Sequence, residues 1–405
     1  MENSPLKNLK KLPKIYLFIL CIVSLTILIL SCSSQSTPTP VVTPVPVTTV
    51  VTTPPTPTPI PAINTSSTTA KEIIVDMGGG FNLGNVFDNG INASTPSNNK
   101  AIVDLYYNAG MRHVRIPTTW MEGFSSNIAD ANGNVNTTHP RFLELKEIID
   151  YALAKKMYVV LNTHHERWLK NNYDGSAAYD TKFANLWTGI ATFFKDYPKQ
   201  LIFEVLNEPE GKLGQWSGTG YPLPTVEQAL IYTRQVNKVG YDAIRATGGN
   251  NTNRLIMVAP NGQGNQGMIE EVYPTKTSLP GAGNDNYLAI QVHTYDPWAF
   301  CGQTGVLSAF PGNTSIENAI KKVGVHSALL DVPVNYGEFG VGRQSNTTER
   351  NTDIVRGYYK VFSTTCKAQK MSFTPWDDRG WFGLISGSGI NYTFLNNIVP
   401  TMMGQ

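Results

Sequence analysis

Two glutamates stand at the ends of apolar, strand-like segments that lie far apart in the chain. Glu208 belongs to the sequence Leu-Asn-Glu-Pro at 206–209, and Glu338 to Tyr-Gly-Glu-Phe-Gly at 336–340. Cleavage of a glycosidic bond by two carboxyl groups needs one to protonate the leaving oxygen and another to attack the sugar or activate water. The sequence therefore predicts a glycan-cleaving site if the fold brings these two glutamates together.

Eight apolar segments alternate with segments of helical period from about Lys71 onwards. The predicted strands cover 81–85, 113–117, 158–164, 201–207, 255–259, 287–293, 332–338 and 371–376. The predicted helices cover 101–109, 179–194, 225–246, 316–330 and 351–368, with another ending before Lys155 and a weaker one at 265–272. This alternation predicts an α/β fold, a (β/α)8 TIM barrel that forms a single catalytic domain at 71–405. An open doubly wound sheet is the alternative, although no glycine-rich phosphate loop follows an early strand.

The first 70 residues differ in composition from the rest of the chain. Four lysines precede an apolar run at 15–30, which indicates a signal peptide over residues 1–31. The sequence Ile-Leu-Ser-Cys at 29–32 resembles a bacterial lipobox, which implies that Cys32 is lipidated and holds an exported protein at the cell surface or outer membrane. An unmodified Cys32, an uncleaved anchor and a secreted product are the alternatives. Residues 32–70 are mostly Pro, Thr, Val and Ser, which predicts a disordered, semi-rigid linker.

Charge and cysteine content narrow the classes of partner. The formal net charge is +2, and the first 31 residues alone contribute +3, so the remainder is close to neutral. A near-neutral body without basic clusters argues against nucleic acid as a partner. Cys301 and Cys366 are the two cysteines available for a disulfide, and the sequence leaves their pairing open. No cysteine and histidine spacing fits a structural zinc site, and we predict neither a metal nor a cofactor.

The C-terminal ends of the predicted strands carry the next candidates, because active sites of TIM barrels form there. Polar or aromatic residues occur at most of these ends: Asn82, Asn85, Arg115, His164, His165, Asn207, Glu208, His293, Tyr295, Glu338 and Trp376. The run of His164, His165 and Glu166 is a poor metal-ligand set, because neighbouring strand residues point to opposite faces.

Seven motifs in a fixed order resemble glycoside hydrolase family 5, which contains many endo-β-1,4-glucanases. They are Asn-Leu-Gly-Asn at 82–85, Val-Arg-Ile-Pro at 114–117, Asn-Thr-His-His at 162–165, Leu-Asn-Glu-Pro at 206–209, Val-His-Thr-Tyr at 292–295, Tyr-Gly-Glu-Phe-Gly at 336–340 and Trp-Asp at 376–377. The resemblance covers essentially all of 71–405. It implies that Glu208 is the general acid/base and Glu338 the nucleophile of a retaining double displacement. The charge of Glu338 is then expected to raise the pKa of Glu208.

The resemblance also implies roles for the surrounding residues. Asn207 is expected to bind the sugar 2-hydroxyl, Arg115 to hold Glu338 ionised, and Trp376 to form an aromatic platform under the sugar. Substrate binding or orientation of Glu338 is expected of the remaining residues: Asn85, His164, His165, His293 and Tyr295. Further sugar-stacking sites are possible at Trp120, Trp168, Trp298 and Trp381. Helix capping, ordinary ion pairs and barrel packing are the structural alternatives.

The resulting hypothesis is a monomeric, retaining endo-β-glycanase that acts on neutral β-1,4-glucan-type polysaccharide. Cellulose, mixed-linkage glucan and xyloglucan are the candidate substrates. A mannanase, a transglycosylase and a non-catalytic glycan-binding lipoprotein are the alternatives. The sequence leaves the preferred glycan and the endo or exo mode open.

Overall fold

The structure is a computed structural model that describes residues 69–122 and 127–405. Eight short strands in this part of the chain form one parallel sheet in sequential order. They are β1 Gly80–Asn82, β2 His113–Ile116, β3 Tyr158–Asn162, β4 Leu201–Glu204, β5 Ile256–Val258, β6 Leu288–Thr294, β7 Val334–Phe339 and β8 Ser372–Phe373. The predicted signal peptide, Cys32 and nearly all of the predicted linker lie outside the described residues.

The sheet closes into a barrel because its first and last strands also meet. A parallel bridge joins Gly79 to Phe373, and the amide of Asn82 donates to the carbonyl of Pro375 at 3.3 Å. The predicted (β/α)8 TIM barrel is therefore confirmed, and the open doubly wound sheet is wrong. Six of the eight strands end earlier than predicted, because the chain leaves the hydrogen-bonded ladder before it reaches the polar residues of the rim.

Helical segments of different lengths surround the strands. Within the described residues they are α1 Ala70–Met77, α2 Pro96–Asn108, α3 Pro140–Ala154, α4 Arg167–Lys170, α5 Ala177–Phe194, α6 Glu227–Ala246, α7 Asn261–Gly264, α8 Ile269–Val272, α9 Trp298–Cys301, α10 Asn313–Leu330, α11 Asp353–Ala368 and α12 Ile398–Met403. The six long helices predicted from the sequence correspond to α2, α3, α5, α6, α10 and α11. The weaker helix predicted at 265–272 is a 3₁₀ turn, Gln266–Met268, followed by α8.

The helical period of the sequence explains how α3 packs. Its buried residues follow each other at helical spacing along one face: Phe142, Leu145, Ile148, Ile149 and Ala152. Pro140 occupies the first helical position, where its missing amide removes no intrahelical hydrogen bond. An apolar stripe of this kind buries against the sheet and fixes the helix on the outside of the barrel.

Helix α1 closes the N-terminal end of the barrel. Its apolar residues form a cluster with the side chains of Val160, Ile202, Met257 and Ala289 on four different strands. A capping box at Thr69 and Glu72 starts the helix. This helix was not predicted, because the predicted linker extends to residue 70. Its position leaves the C-terminal rim as the accessible end of the barrel interior.

Three smaller observations complete the fold. A hairpin of β9 Ile385–Ser388 and β10 Asn391–Phe394 follows β8, and it was not predicted. Cys301 and Cys366 are both buried and free, so the disulfide that the sequence left open is not formed. Among the helices of the described ranges, none combines the length and the apolar character that crossing a membrane requires.

Candidate active site

Arg115 on β2 is the centre of a buried hydrogen-bond network at the C-terminal rim. Its guanidinium donates to both carboxylate oxygens of Glu204, at 2.6 and 2.8 Å. It also donates to Glu338 Oε1 at 2.8 Å, to Asn82 Oδ1 at 2.8 Å and to Asn207 Oδ1 at 2.6 Å. One planar, fully charged group therefore fixes four side chains that come from β1, β4, β7 and the loop after β4.

Glu338 on β7 has a partner for each carboxylate oxygen. Arg115 donates to Oε1, and the hydroxyl of Tyr295 donates to Oε2 at 2.9 Å. Burial raises the pKa of Glu338, whereas His293 and Arg115 counteract part of that shift. Two donors aimed at the oxygens favour the ionised form, which is the form that a nucleophile needs. Arg115 therefore takes the position that the resemblance implied for it.

Glu208 follows β4 in a left-handed backbone conformation, with φ of +43°. Its side chain remains 25% exposed, while that of Glu338 is only 6% exposed. Burial raises the pKa of Glu208 to about 7, and the charge of Glu210 adds to the shift. The direction agrees with the sequence analysis, but the expected cause does not. Burial is the main cause of the raised pKa of Glu208, and the nearby charge that raises it most is that of Glu210. The sequence had led us to expect that charge to come from Glu338.

His293 joins the two glutamates. Its Nδ1 lies 3.1 Å from Glu208 Oε1 and 3.7 Å from Glu338 Oε2. A ring nitrogen of His293 and one oxygen of each carboxyl group all lie within 4.8 Å of one another. Burial lowers the pKa of His293 to about 4, so the ring is neutral near pH 7. A shift in register between Val292 and His293 sets this geometry, because it places His293 opposite Glu338 in the β6–β7 ladder.

The two carboxyl groups therefore have different environments at short range. Glu208 titrates near neutrality and reaches the cleft, while Glu338 is held by donors on both oxygens. Retaining glycosidases place their carboxyl groups about 5 to 5.5 Å apart, and inverting ones about 6.5 to 9.5 Å apart. One oxygen of Glu208 lies within 4.8 Å of one oxygen of Glu338.

His164 and Trp376 lie next to each other at the rim. Their rings are nearly parallel, with centroids 6.1 Å apart and an interplanar angle of 11°. His165 meets His164 edge to face at 4.6 Å. Burial lowers the pKa of both histidines, to about 3 for His165, so both rings are neutral. Their uncharged nitrogens are suited to hydrogen bonds with hydroxyl groups.

Asn85 lies apart from this network. It adopts a left-handed conformation in the loop after β1, where its side chain accepts a hydrogen bond from Asn89. Asn82 on β1 is the residue that reaches Arg115, and its Nδ2 also donates to the carbonyl of Gly337 at 2.9 Å. Of the two asparagines in the motif at 82–85, Asn82 belongs to the hydrogen-bond network of Arg115. The role in substrate binding or orientation was expected of Asn85 instead.

The tryptophans proposed for sugar stacking have different environments. Trp120 is fully buried and its indole donates to the carbonyl of Asn162, so it is a packing residue. Trp168 is half-buried and donates to Glu166. Trp298 is 52% exposed and lines the cleft. Trp381 is 44% exposed, but it is not among the cleft-lining residues of the described chain.

Sequence reasoning missed several residues of the site. Glu204 ends β4 and carries no family motif, yet it is fully buried against Arg115. Although burial opposes its ionisation, Arg115 holds the pKa of Glu204 below its usual value. Lys170 is 1% exposed and lies 3.7 Å from Glu210. Trp216, in the loop after β4, is 47% exposed and lines the cleft. For Glu204, the one available signal was an acidic residue within the apolar run of β4.

A cleft of about 800 Å³ lies at the C-terminal rim. Glu208 and Glu338 lie in its wall together with aromatic residues from the loops after β4, β6 and β8. The lining includes Trp216, Gln263, Asn265, His293, Tyr295, Trp298, Trp376 and Phe382. Trp376 and Trp216 follow β8 and β4, which are four strands apart in an eight-stranded barrel, so they stand on opposite sides of the rim.

A TIM barrel with two closely spaced carboxyl groups in an aromatic rim cleft has the architecture of a glycoside hydrolase. The sequence comparison agrees with this class and gives the family. The profile described as "Cellulase (glycosyl hydrolase family 5)" matches residues 76–379, and the chain belongs to that family.

Individual relatives show the same likeness. Endoglucanase A of Clostridium longisporum is 31% identical over 358 residues, which cover 81% of this chain and 64% of that protein. The solved structure of a broad specificity endoglucanase from Clostridium longisporum superposes with a TM-score of 0.68 at 27% identity, covering 84% of this chain and 98% of the other. A xyloglucan-specific endo-β-1,4-glucanase from a metagenomic library, solved with cellotriose, gives a TM-score of 0.66 at 25% identity, covering 82% and 98%.

Proposed function

We propose that this protein is an endo-β-1,4-glucanase that hydrolyses neutral plant polysaccharide with retention of anomeric configuration. The observation that carries the proposal is the grouping of Glu208, His293 and Glu338 within 4.8 Å in the wall of the cleft. Glu208, whose pKa is raised to about 7, lies beside Glu338, whose carboxylate accepts hydrogen bonds from Arg115 and Tyr295. Such a pair supports double displacement.

The first step forms a glycosyl-enzyme. Glu338 attacks the anomeric carbon while Glu208 gives its proton to the leaving oxygen, so the glycosidic bond breaks and an ester bond to Glu338 forms. The donors from Arg115 and Tyr295 hold the attacking carboxylate in place until the bond forms. Asn207, fixed through its Oδ1 by Arg115, is proposed to bind the sugar 2-hydroxyl.

The second step releases the sugar. Glu208 is now ionised and takes a proton from water, which attacks the anomeric carbon and displaces Glu338. This restores both carboxyl groups to their starting protonation states. The ring of His293 is neutral and its Nδ1 lies 3.1 Å from Glu208 and 3.7 Å from Glu338, so it adds no charge beside either carboxyl group.

The cleft supports a β-glucan as the substrate. Aromatic rings on opposite sides of the rim suit the apolar faces of pyranose rings, and a chain lying between Trp376 and Trp216 would pass over both glutamates. The structure solved with cellotriose and the broad specificity endoglucanase support the same substrate class for this chain. We propose cellulose, mixed-linkage glucan and xyloglucan as its substrates, cleaved internally.

The test measures reducing ends released from carboxymethyl-cellulose, lichenan, xyloglucan and mannan in parallel. We expect release from the glucans, and NMR of the first product should show the β-anomer. Glu338→Ala should lose at least about 10⁴-fold in rate, with an unchanged circular dichroism spectrum. Inversion, or near-normal activity in that variant, would contradict the mechanism. Preferred release from mannan, or products longer than the substrate, would favour the mannanase or the transglycosylase.

Export and anchoring are a separate proposal that rests on the sequence pattern. We propose that Cys32 is lipidated and that residues 33–68 tether the barrel to the cell envelope. Incorporation of labelled palmitate into the full chain, and its loss in Cys32→Ala, would test this. A soluble, unlabelled product from the unmodified chain would contradict it.

A further inference from the structure

Asp88 is a buried carboxyl group that the proposed mechanism does not use. It lies in the loop after β1 with only 1% of its surface exposed. No side chain in residues 69–122 and 127–405 makes a hydrogen bond to either carboxylate oxygen, and the groups that favour its ionised form are chiefly the backbone amides of Asp88 and Asn89. Burying a carboxyl group without a side-chain partner costs free energy, so stability alone gives no reason for an aspartate rather than an asparagine at this position.

The two histidines after β3 lie beside Asp88. His165 Nε2 is 3.9 Å from Asp88 Oδ2, and the side chain of His165 is 30% exposed. A nitrogen of each histidine lies within 4.8 Å of a carboxylate oxygen. The separation of 3.9 Å is too long for a hydrogen bond. Bonds of this kind are often long in unliganded enzymes and tighten in the substrate complex.

The neighbouring His164 shows what such a partner does. Asn162 accepts from the amide of Thr118 at 3.0 Å and donates to Glu204 at 3.0 Å, so the orientation of its amide group is fixed. Its Nδ2 then donates to Nδ1 of His164 at 3.2 Å. The proton of the neutral His164 ring therefore sits on Nε2. One neighbouring side chain decides which ring nitrogen can donate and which can accept.

We propose that Asp88 is the positioning residue for His165: it accepts a hydrogen bond from Nε2 and so presents Nδ1 of the ring to a sugar hydroxyl. The inference rests on the proposed function, because a neutral glycan supplies the hydroxyl. Burial lowers the pKa of His165 to about 3, so the ring has one donor and one acceptor nitrogen. Burial raises the pKa of Asp88 to about 7, and a donor from His165 would favour its carboxylate.

A double-mutant cycle with Asp88→Asn, His165→Ala and the double variant tests the proposal. We expect Asp88→Asn to raise KM for a soluble β-1,4-glucan about tenfold, the effect of losing one charge-assisted hydrogen bond, while kcat changes little. In the His165→Ala background, Asp88→Asn should have no further effect on KM. The melting temperature of Asp88→Asn should stay the same or rise, because the asparagine Oδ1 can still accept from a backbone amide while the buried ionisable group is removed.

Asp285→Asn is the matched control. Its carboxylate accepts from the hydroxyl of Tyr241 at 2.7 Å and from Nε of Arg245 at 2.8 Å, so it has a structural role. This variant should lower the melting temperature and leave KM unchanged, which is the opposite pattern. The same substitution is therefore expected to change KM at Asp88 and the melting temperature at Asp285.

Three results would overturn the proposal. Asp88→Asn with a lower melting temperature and an unchanged KM would make Asp88 structural, and additive effects on KM in the double variant would uncouple it from His165. Inhibition by Zn²⁺ that EDTA reverses and Asp88→Asn abolishes would assign Asp88, His164 and His165 to a metal site. If the unmodified protein hydrolyses no glucan, the proposed function fails first, and the melting temperatures still show whether Asp88 is structural.

Discussion

The centre of the site and the rim of its cleft are built in different ways. At the centre, Arg115 donates five hydrogen bonds to four buried or nearly buried side chains. At the rim, Trp216 projects from the loop after β4 and Trp298 from the short helix α9, and both remain about half exposed. The centre is held by charge-assisted bonds within the barrel. The rim is held by the packing of one loop against another.

This difference separates chemistry from substrate choice. The position of Glu338 depends on groups carried by strands, whose relative placement the barrel fixes. Trp216 depends on contact between the loops after β4 and β5, where the amide of Gly262 donates to the carbonyl of Gly214 at 3.2 Å. A loop can change in length without disturbing the barrel. The rim can therefore vary between relatives while the centre stays the same.

The largest expected effect comes from breaking the centre at Glu204. Glu204→Gln leaves the buried guanidinium of Arg115 without its bidentate partner, and removing one member of a buried ion pair costs roughly 3 to 5 kcal/mol. Urea unfolding should show this loss. Glu338→Gln is the matched variant at the same guanidinium: it should abolish activity with a smaller loss of stability, because Glu338 makes only one bond to Arg115. Equal stability losses in the two variants would contradict the distinction.

The sequence predicted the centre well because its residues follow strand patterns. Apolar runs located the eight strands, and a polar residue at the end of a barrel strand faces the rim by geometry. Arg115, Asn207, Glu208, His293, Tyr295 and Glu338 all meet where this rule and the family motifs place them. Glu204 was missed because a glutamate inside an apolar run gives no indication of its partner. Its role depends on Arg115, which is 89 residues away.

The rim was predicted poorly because loops carry no period. Trp216 lies among glycine, serine and proline residues between β4 and α6, and nothing in that segment indicates the direction of its side chain. Trp120 shows the reverse case, since the sequence left sugar stacking and packing both open and the side chain is fully buried. Helix α1 was missed because the composition of the preceding linker continued almost to its capping residue. Each of these outcomes was decided by tertiary contacts rather than by local pattern.

Truncation at the rim should have an intermediate effect. Trp216→Ala should lower kcat/KM on long glucans about tenfold, the scale of one lost aromatic contact, and should leave hydrolysis of a small aryl cellobioside nearly unchanged. Trp381 is similarly exposed but lies outside the cleft lining. Trp381→Ala should therefore leave kcat/KM unchanged on both the long glucan and the aryl cellobioside. A loss on both substrates would make Trp216 part of the centre.

Gly262, which packs against the ring of Trp216, offers a second way to test the rim. Gly262 has φ of +60°, and a Cβ at this position would lie 2.7 Å from the indole Nε1 of Trp216. Gly262→Ala should therefore displace the ring and reproduce the substrate dependence of Trp216→Ala. If Gly262→Ala changed both substrates equally, the loop after β5 would act on the centre as well as on the rim.

The smallest expected effect links the two regions through Glu210. This residue lies two positions after Glu208, 3.7 Å from Lys170, and its negative charge raises the pKa of Glu208. Since the active form needs a protonated Glu208, that pKa sets the alkaline limb of the profile of kcat/KM against pH. Glu210→Gln removes the charge, lowers the pKa of Glu208 and should move the alkaline limb to lower pH. The profile should be measured at low salt, because screening weakens the interaction.

Glu227→Gln, at an exposed glutamate on α6, should leave the profile unchanged. An alkaline limb that stays in place in Glu210→Gln would mean that burial alone sets the pKa of Glu208. The loop after β4 would then have no influence on the protonation of Glu208. A shift to lower pH would show instead that a charge in the loop after β4, the loop that also carries Trp216, adjusts the chemistry, so that a change in the rim can alter both substrate choice and pH range.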